Sequence, residues 1–440
     1  MTGKKEYLDL AKFFIDERGR RAYDKSNPDE WKNGMYWQDD KPVTDQTDAE
    51  GHAVRAMYLY SGIADVAALT GDKRYIAAID EIWNNMVGKK IYVQGGIGAV
   101  PNGERFGGDY ELPNATAYNE TCAAIGQVYW NQPMFLLHGD AKYIDLLEKV
   151  LYNGLISGVG LDGKTFFYTN AMQVTNGFTH SALEAGRSGW FECSCCPTNI
   201  ARFLPSLPGY VYAQKQDSLY INLFIAGKAA LKIGNKDVAI TQVNNYPWNG
   251  QLTFNLDMAA PVKFKMLVRI PGWSRSVAIP SDIYAFENSS QGKYELKLNG
   301  KPIKYSMENG YAVISREWKK GDRLALNLPM EVKKVIANPV LKEDKDKVAL
   351  QRGPIMYAAE WKDNAGSVSN IIIPDNAVFS PLYQKDLLNG VTVLRGAILK
   401  KDSTDAAARP ATLTAIPYYS WANRGTGEMT VWFPKAAAVK

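Results

Sequence analysis

The four cysteines of this chain fall in two short runs. Cys122 closes Asn119-Glu120-Thr121-Cys122, while Cys193, Cys195 and Cys196 crowd into Phe191-Glu192-Cys193-Ser194-Cys195-Cys196-Pro197. Neighbouring cysteines rarely pair with each other because disulfide geometry is restrictive, whereas thiolates beside a carboxylate are a ligand set that Zn²⁺ favours. The pattern reads as one zinc–thiolate site rather than a disulfide framework. Buried thiols acting only as small hydrophobes fit poorly with three of them in four residues.

Spacing constrains how such ligands meet. Glu120 and Cys122 are two apart and share a direction only on extended backbone, since in a helix they diverge by about 200°. They are therefore expected on a non-helical segment. Cys195 and Cys196 reach one ion only across a turn, and Pro197 followed by Thr198-Asn199-Ile200-Ala201 looks like a helix start. A helix N-terminus and a nearby cation both favour thiolate over thiol, against a free-cysteine pKa of about 8.5. Three thiolates and Glu120 around Zn²⁺ give −4 + 2 = −2, an electron-rich centre suited to attack on an electrophilic carbon. Hydrolytic zinc instead keeps three protein ligands and an activated water. A closed Cys₃Glu zinc staple with no catalytic part is the alternative.

Upstream lie Tyr92-Val93-Gln94-Gly95-Gly96-Ile97-Gly98, Gly103-Glu104-Arg105-Phe106 and Asp109-Tyr110-Glu111-Leu112. The glycine spacing matches neither dinucleotide nor Walker patterns. As a loop at a pocket mouth the stretch supplies carboxylates, one of which a general acid needs.

These groups must be carried by a scaffold, and a weak repeat describes it. Gly3, Gly71 and Gly139 recur at a spacing of 68 in Thr2-Gly3-Lys4, Thr70-Gly71-Asp72 and His138-Gly139-Asp140. Apolar residues follow at helical spacing, as in Tyr143, Leu146, Leu147 and Val150, so glycine marks the turn of a helical hairpin. Repeated hairpins of this length suggest an (α/α)₆ toroid. Closing one needs roughly twice the helical sequence available between Met1 and about Tyr212, so the N-terminal half of the barrel is expected to be missing from this chain.

From about Ser218 the period becomes two, as in Leu219, Ile221, Leu223, Ile225, then Phe264, Met266, Val268, Ile270, then Leu324, Leu326, Leu328. Asn299-Gly300 and Asn309-Gly310 punctuate these strands as turns. The expected organisation is a partial α/α barrel over 1–213, an antiparallel β-sandwich over 214–347, and a second β segment over 348–440. The net charge of +5 is scattered, without the basic stripe that phosphates require, so nucleic acid is an unexpected partner. No stretch of about 18 apolar residues and no signal-peptide pattern occurs, so the chain reads as soluble, with no membrane partner. Cytoplasmic and periplasmic compartments both stay open, as does the oligomeric state. The 25 Tyr and 11 Trp read first as core and sheet, and second as platforms on which sugars stack.

The pairing of Asn119-Glu120-Thr121-Cys122 with Cys195-Cys196-Pro197-Thr198-Asn199 resembles glycoside hydrolase family 127, whose characterised members include β-L-arabinofuranosidases. Gly51-His52-Ala53-Val54-Arg55-Ala56, Gly95-Gly96-Ile97-Gly98, Gly103-Glu104-Arg105-Phe106, Gln351-Arg352-Gly353-Pro354 and Trp421-Ala422-Asn423-Arg424 extend the likeness over nearly the whole chain. The resemblance implies an (α/α)₆ barrel followed by β-sandwiches. It implies Zn²⁺ on Glu120, Cys122, Cys195 and Cys196, with Cys195 as nucleophile and Glu104 as general acid/base of a retaining hydrolase. It places His52, Glu148 and Tyr168 against the sugar. Cys193 is left outside the ligand set, and His138 and His180 are read as structural.

The expected activity is exo-acting release of a terminal furanose, β-L-arabinofuranose, from a carbohydrate. Two other readings stay open: a hydrolase of a different L-sugar or of a branched acidic sugar of pectin, and a non-catalytic, zinc-stapled glycan-binding protein.

Overall fold

The computed structural model describes residues 3–175, 186–288, 292–401 and 407–436. The first half of the chain is helical: α1 (Lys5–Glu17), α2 (Glu30–Asn33), α3 (Ala53–Thr70), α4 (Lys73–Lys89), α5 (Thr121–His138), α6 (Ala141–Val150) and α7 (Cys195–Phe203). The glycine repeat sits where a hairpin needs it. Gly71 ends α3 and Gly139 ends α5, both at φ 68°, the left-handed conformation that caps a helix at little cost to glycine. The next residue restarts a helix: the Asp72 carboxylate accepts from Arg74 N–H, and the Asp140 carboxylate from Lys142 N–H. Two hairpins, α3–α4 and α5–α6, therefore follow the repeat. The (α/α)₆ toroid, expected here without its N-terminal half, is not shown: the described residues contain seven α-helices, fewer than six hairpins require. None of the described helices is long and apolar enough to cross a membrane.

Beyond Tyr212 the described chain is mostly strand, in sheets of 5, 6 and 11 strands. Alternation works as expected in Val262–Arg269, where Phe264, Met266 and Val268 are buried and Lys263 and Lys265 exposed. Asn309 and Gly310, at φ 47° and 81°, form the tight turn between Ser306–Glu308 and Tyr311–Trp318.

The expectation of a purely antiparallel arrangement is corrected at two places. Ser218–Ile221 pairs in parallel with Val262–Arg269, with Leu219 opposite Met266, and Ile371–Pro374 pairs in parallel with Phe433–Ala436. In the first case the chain leaves the five-stranded sheet after Ile221, builds three strands of the six-stranded sheet between Gly227 and Met258, and returns. A strand that comes back through a crossover can run in its predecessor's direction, which a direct hairpin forbids.

Helices and sheets are joined by buried polar contacts. Arg269, fully buried, pairs with Asp145 and Glu148 of α6, and Lys149 donates to Gln351 Oε1 at 2.9 Å. Asn153 donates to Pro354 O at 2.9 Å and accepts from Met356 N–H at 2.8 Å. These contacts hold α6 and, through its packing on α5, the helix that opens at the cysteine cluster.

Candidate active site

Two helix N-termini converge on one point. Glu120 is the N-cap of α5 on extended backbone (φ −61°, ψ 137°), and Cys122 follows in the first turn. Cys195 and Cys196 open α7. The non-helical segment expected for Glu120 and Cys122 is thus a helix start, where the break between cap and first turn supplies the change of direction that a continuous helix lacks. Thr121 fixes the start of α5: its N–H donates to Tyr168 O at 2.9 Å, and its hydroxyl to Phe167 O at 2.9 Å.

The four groups meet closely. Cys122 Sγ lies 3.5 Å from Cys196 Sγ, Cys195 Sγ is 3.8 Å from Cys196 Sγ, and Glu120 Oε1 is 3.7 Å from both Cys195 Sγ and Cys196 Sγ. All four ligand atoms fall within 4.8 Å of one another, a separation that one ion can bridge. Cys193 is exposed and does not belong to this group.

The cluster is chemically unfinished without a cation. Glu120 is 3% exposed, and its Oε2 has no hydrogen-bond partner among the described residues. Burial, with the charges of Glu104 and Cys195, pushes its carboxyl well above the usual range. A buried, unpartnered carboxylate oxygen beside three thiols fits a thiophilic divalent metal such as Zn²⁺. The two helix N-termini add positive potential that favours thiolate.

Glu104 faces the cluster from a strained turn. It stands at φ 53° after Gly103 at φ 78°, and is held because Ala53 N–H donates to Glu104 O at 2.9 Å. A side chain at Gly103 would collide with Trp31 and Tyr36, 2.5 and 3.0 Å away, so the turn packs directly on those rings. Three groups surround the carboxylate: His52 Nε2 at 3.0 Å from Oε2, and the Tyr118 and Tyr168 hydroxyls at 2.9 and 3.1 Å from Oε1. The hydrogen bond from His52, then those from the tyrosines, hold the Glu104 carboxyl below its ordinary value in spite of partial burial. His52 caps α3, its Nδ1 facing the Arg55 N–H, which leaves Nε2 as the donor to Glu104.

Tyr168 links the two halves of the site. Its hydroxyl is 3.2 Å from Cys195 Sγ as well as in contact with Glu104. Contacts with neighbouring thiols, that with Cys122 first, and with Tyr168 draw the Cys195 thiol down toward thiolate.

Cys195, Glu104, His52 and Tyr168 are therefore brought together with Glu120, Cys122 and Cys196. Glu148, expected to touch sugar, is placed elsewhere. It is 1% exposed, bonded to Arg269 and to the Tyr246 hydroxyl at 2.8 Å, at the contact between α6 and the strands. Its apolar neighbours Leu147 and Val150 turn that side of α6 inward, and the buried guanidinium supplies the counter-charge that a buried carboxylate needs. His138 pairs with Asp80 at 2.8 Å and stacks on Tyr143, a packing arrangement, while His180 lies outside the described residues. Tyr118 was not singled out from sequence. Its position two residues before Glu120 was the available signal.

Comparison with known proteins agrees over the whole chain. Residues 1–209 match the β-L-arabinofuranosidase GH127 catalytic domain, 218–330 the GH127 middle domain, and 332–434 the glycoside hydrolase family 127 C-terminal domain. The non-reducing end β-L-arabinofuranosidase of Bifidobacterium longum subsp. longum is 36% identical over 468 residues, covering 98% of this chain and 68% of that protein. A solved GH127 β-arabinofuranosidase superposes with a TM-score of 0.92 at 46% identity, covering 99% of this chain. A GH127 β-L-arabinofuranosidase from Geobacillus stearothermophilus T6 gives 0.91 at 36% identity, covering 99% of this chain and 70% of that one. The present chain spans 66% of the length of the first of these solved chains. On these matches, and with a cysteine–glutamate cluster where two helices begin, the chain belongs to glycoside hydrolase family 127.

Proposed function

We propose that this chain is a retaining exo-glycoside hydrolase that releases a terminal β-L-arabinofuranose, with Cys195 as nucleophile and Glu104 as general acid/base. The observation that carries the reading is the unbroken contact from Cys195 Sγ, which is half-buried, through the Tyr168 hydroxyl to Glu104, 3.2 and 3.1 Å, beside the buried Glu120, Cys122 and Cys196. The names of the relatives support the sugar.

Glu120, Cys122, Cys195 and Cys196 would hold Zn²⁺, which when bound supplies positive charge that keeps these thiols ionised. In the first half-reaction the Cys195 sulfur bonds to the anomeric carbon as the bond from that carbon to the leaving oxygen breaks. Glu104 gives its proton to that oxygen, and a thioglycosyl–enzyme forms. In the second, water adds to the anomeric carbon, the C–S bond breaks with its electron pair returning to sulfur, and Glu104 takes the water's proton. Because His52 and the tyrosines favour the Glu104 carboxylate, the protonated form is a minor species at neutral pH. Tyr168, hydrogen-bonded to both reacting groups, keeps them at a fixed separation. All these groups belong to the helical part, the proposed catalytic unit of 1–213.

The test is a panel of p-nitrophenyl glycosides with Cys195→Ala and Glu104→Ala, alongside metal analysis. Release from the β-L-arabinofuranoside, abolished in both variants with metal retained by Glu104→Ala, is expected. Release from another glycoside alone redirects the claim to a different sugar. Absence of any release, with glycan binding retained, replaces the enzyme by a zinc-stapled glycan-binding protein.

A further inference from the structure

We infer that Trp421, Asn423 and Arg187 are positioning residues: the turn Trp421-Ala422-Asn423-Arg424, in the C-terminal β segment, sets where the Tyr168 hydroxyl stands between Cys195 and Glu104. The effect on turnover rests on the proposed hydrolase reading, whereas the effect on Cys195 itself does not. Tyr168 lies on a strap, residues 159–172, that holds no helix and no strand beyond isolated bridges. A functional side chain on such a segment takes its position from the scaffold the segment packs on. Residues of the C-terminal segment fasten the strap on both sides of Tyr168. Before it, Asn423 Oδ1 accepts from Leu161 N–H at 2.8 Å, and the Phe167 ring stacks on Trp421 with centroids 4.4 Å apart. After it, the Tyr418 hydroxyl donates to Ala171 O at 2.8 Å, Val431 N–H donates to Met172 O at 3.1 Å, and Gln173–Val174 pairs with Met429–Thr430.

Arg187 ties the approach to Cys195 to the same turn. Its guanidinium lies 4.1 Å from the Phe167 ring centre and donates to Trp421 O and Tyr419 O, both at 3.1 Å, and to Ser157 O at 2.7 Å. Ser188, the next residue, exchanges two backbone hydrogen bonds with Phe166, at 2.8 and 3.0 Å. The turn is itself fixed. Ala422 stands at φ 56°, a left-handed conformation unfavourable for alanine, where its N–H donates to Glu360 Oε1 at 2.5 Å, and Arg424 pairs with Glu360 at 2.6 Å. Toward the cluster, Asn170 Nδ2 donates to Asn119 O at 3.0 Å, so the strap is held between the C-terminal turn and the start of α5. The contacts of the Tyr168 hydroxyl, 3.2 Å to Cys195 Sγ and 3.1 Å to Glu104 Oε1, both end if the strap moves away from the cluster by about 1 Å.

A double-mutant cycle between Trp421→Leu and Tyr168→Phe tests this on the full chain with two readouts. One is kcat on the p-nitrophenyl β-L-arabinofuranoside. The other is the rate at which iodoacetamide alkylates Cys195, followed by peptide mass spectrometry in a Cys193→Ser background so that the exposed thiol does not report. Tyr168→Phe removes the oxygen beside Cys195 Sγ and should change the labelling rate. Trp421→Leu is expected to shift labelling in the same direction and to lower kcat about 10- to 100-fold with KM little changed. Where Tyr168 is already replaced, it should alter either readout by less than about 2-fold. Trp421→Phe, which keeps a stacking ring, should restore most of both. Effects of the two changes that multiply in full, or a Trp421→Leu protein with wild-type labelling and kcat, overturn the inference and leave the turn as packing between domains. Should Trp421→Leu fail to fold, Arg187→Lys, which keeps the charge but not the fork that spans three carbonyls, enters the same cycle under the same criteria. If the wild type releases no arabinofuranoside, the proposed function alone fails, and the labelling cycle still decides.

Discussion

His52 Nε2 lies 3.0 Å from Glu104 Oε2, and this hydrogen bond is the first cause of the lowered Glu104 pKa. A donor to the carboxylate favours the charged form, so removing it lets the pKa rise. If Glu104 is the acid, its pKa sets the alkaline limb of kcat/KM against pH. His52→Ala is therefore expected to move that limb to higher pH and to lower the optimum by about 10- to 100-fold. A pH–rate profile checks both, and an unmoved limb removes Glu104 from the acid role or His52 from control of it.

Tyr168 carries a different load, since its hydroxyl contacts Cys195 and Glu104 together. Tyr168→Phe keeps the ring, which packs edge-on to Phe191 at 5.6 Å, and deletes only the oxygen. The expected result is a fall in kcat of about 10- to 100-fold with little change in melting temperature, measured by steady-state kinetics and thermal unfolding. A KM effect with kcat unchanged would assign Tyr168 to ground-state binding instead.

Removal of a ligand should be read out as metal content. Glu120 Oε2 is buried and unpartnered, so Glu120→Gln replaces a negative ligand by a neutral one and is expected to weaken zinc retention about 10-fold or more against a competing chelator. Cys196→Ser should do the same, whereas Cys193→Ser, outside the cluster, should leave zinc unchanged. Atomic absorption after dialysis, with titration of free thiols, distinguishes the three.

What could be read from sequence follows the range of the interactions involved. The glycine repeat and the aspartates after it are local signals, and α3–α4 and α5–α6 form where they stand. The crowding of Cys193, Cys195 and Cys196 was equally local, and Pro197 lies in the first turn of α7. The parallel pairing of Leu219 with Met266 was not legible, because it depends on a crossover through another sheet. Nor was the burial of Glu148: a carboxylate in Leu147-Glu148-Lys149-Val150 has the same pattern whether it faces water or Arg269, a residue 121 positions away. Gly103 and Glu104 at positive φ likewise depend on Trp31 and Tyr36, distant in sequence.

Glu148 gives a stability prediction for that reason. It and Arg269 are 1% and 0% exposed, so Glu148→Ala leaves a buried guanidinium short of a partner. Breaking a buried pair from one side costs about 3–5 kcal/mol. Urea unfolding should show that loss, and the double change Glu148→Met with Arg269→Met should recover much of it, since no charge is then left unpaired. A Glu148→Ala protein of unchanged stability but raised KM would return Glu148 to sugar contact.

Lys149, the next residue, should make stability depend on pH in the opposite region from most carboxylates. It is enclosed between α6 and the strands, touching Gln351 Oε1 at 2.9 Å and Met356 Sδ at 3.7 Å, and burial lowers its pKa from 10.5 to about 7, opposed by the Glu148 charge. A depressed folded-state pKa means that its contribution is fully present above 10.5 and is lost as pH falls through about 7. Below that both states hold the proton and the loss stops growing. Lys149→Met keeps the length of the side chain and removes the titration. The stability of the variant relative to wild type should therefore rise steadily as pH is lowered from 10.5 to about 7, then level off. Urea midpoints taken across that window measure it, and a difference that does not vary with pH would mean that the amine keeps its proton in the folded protein.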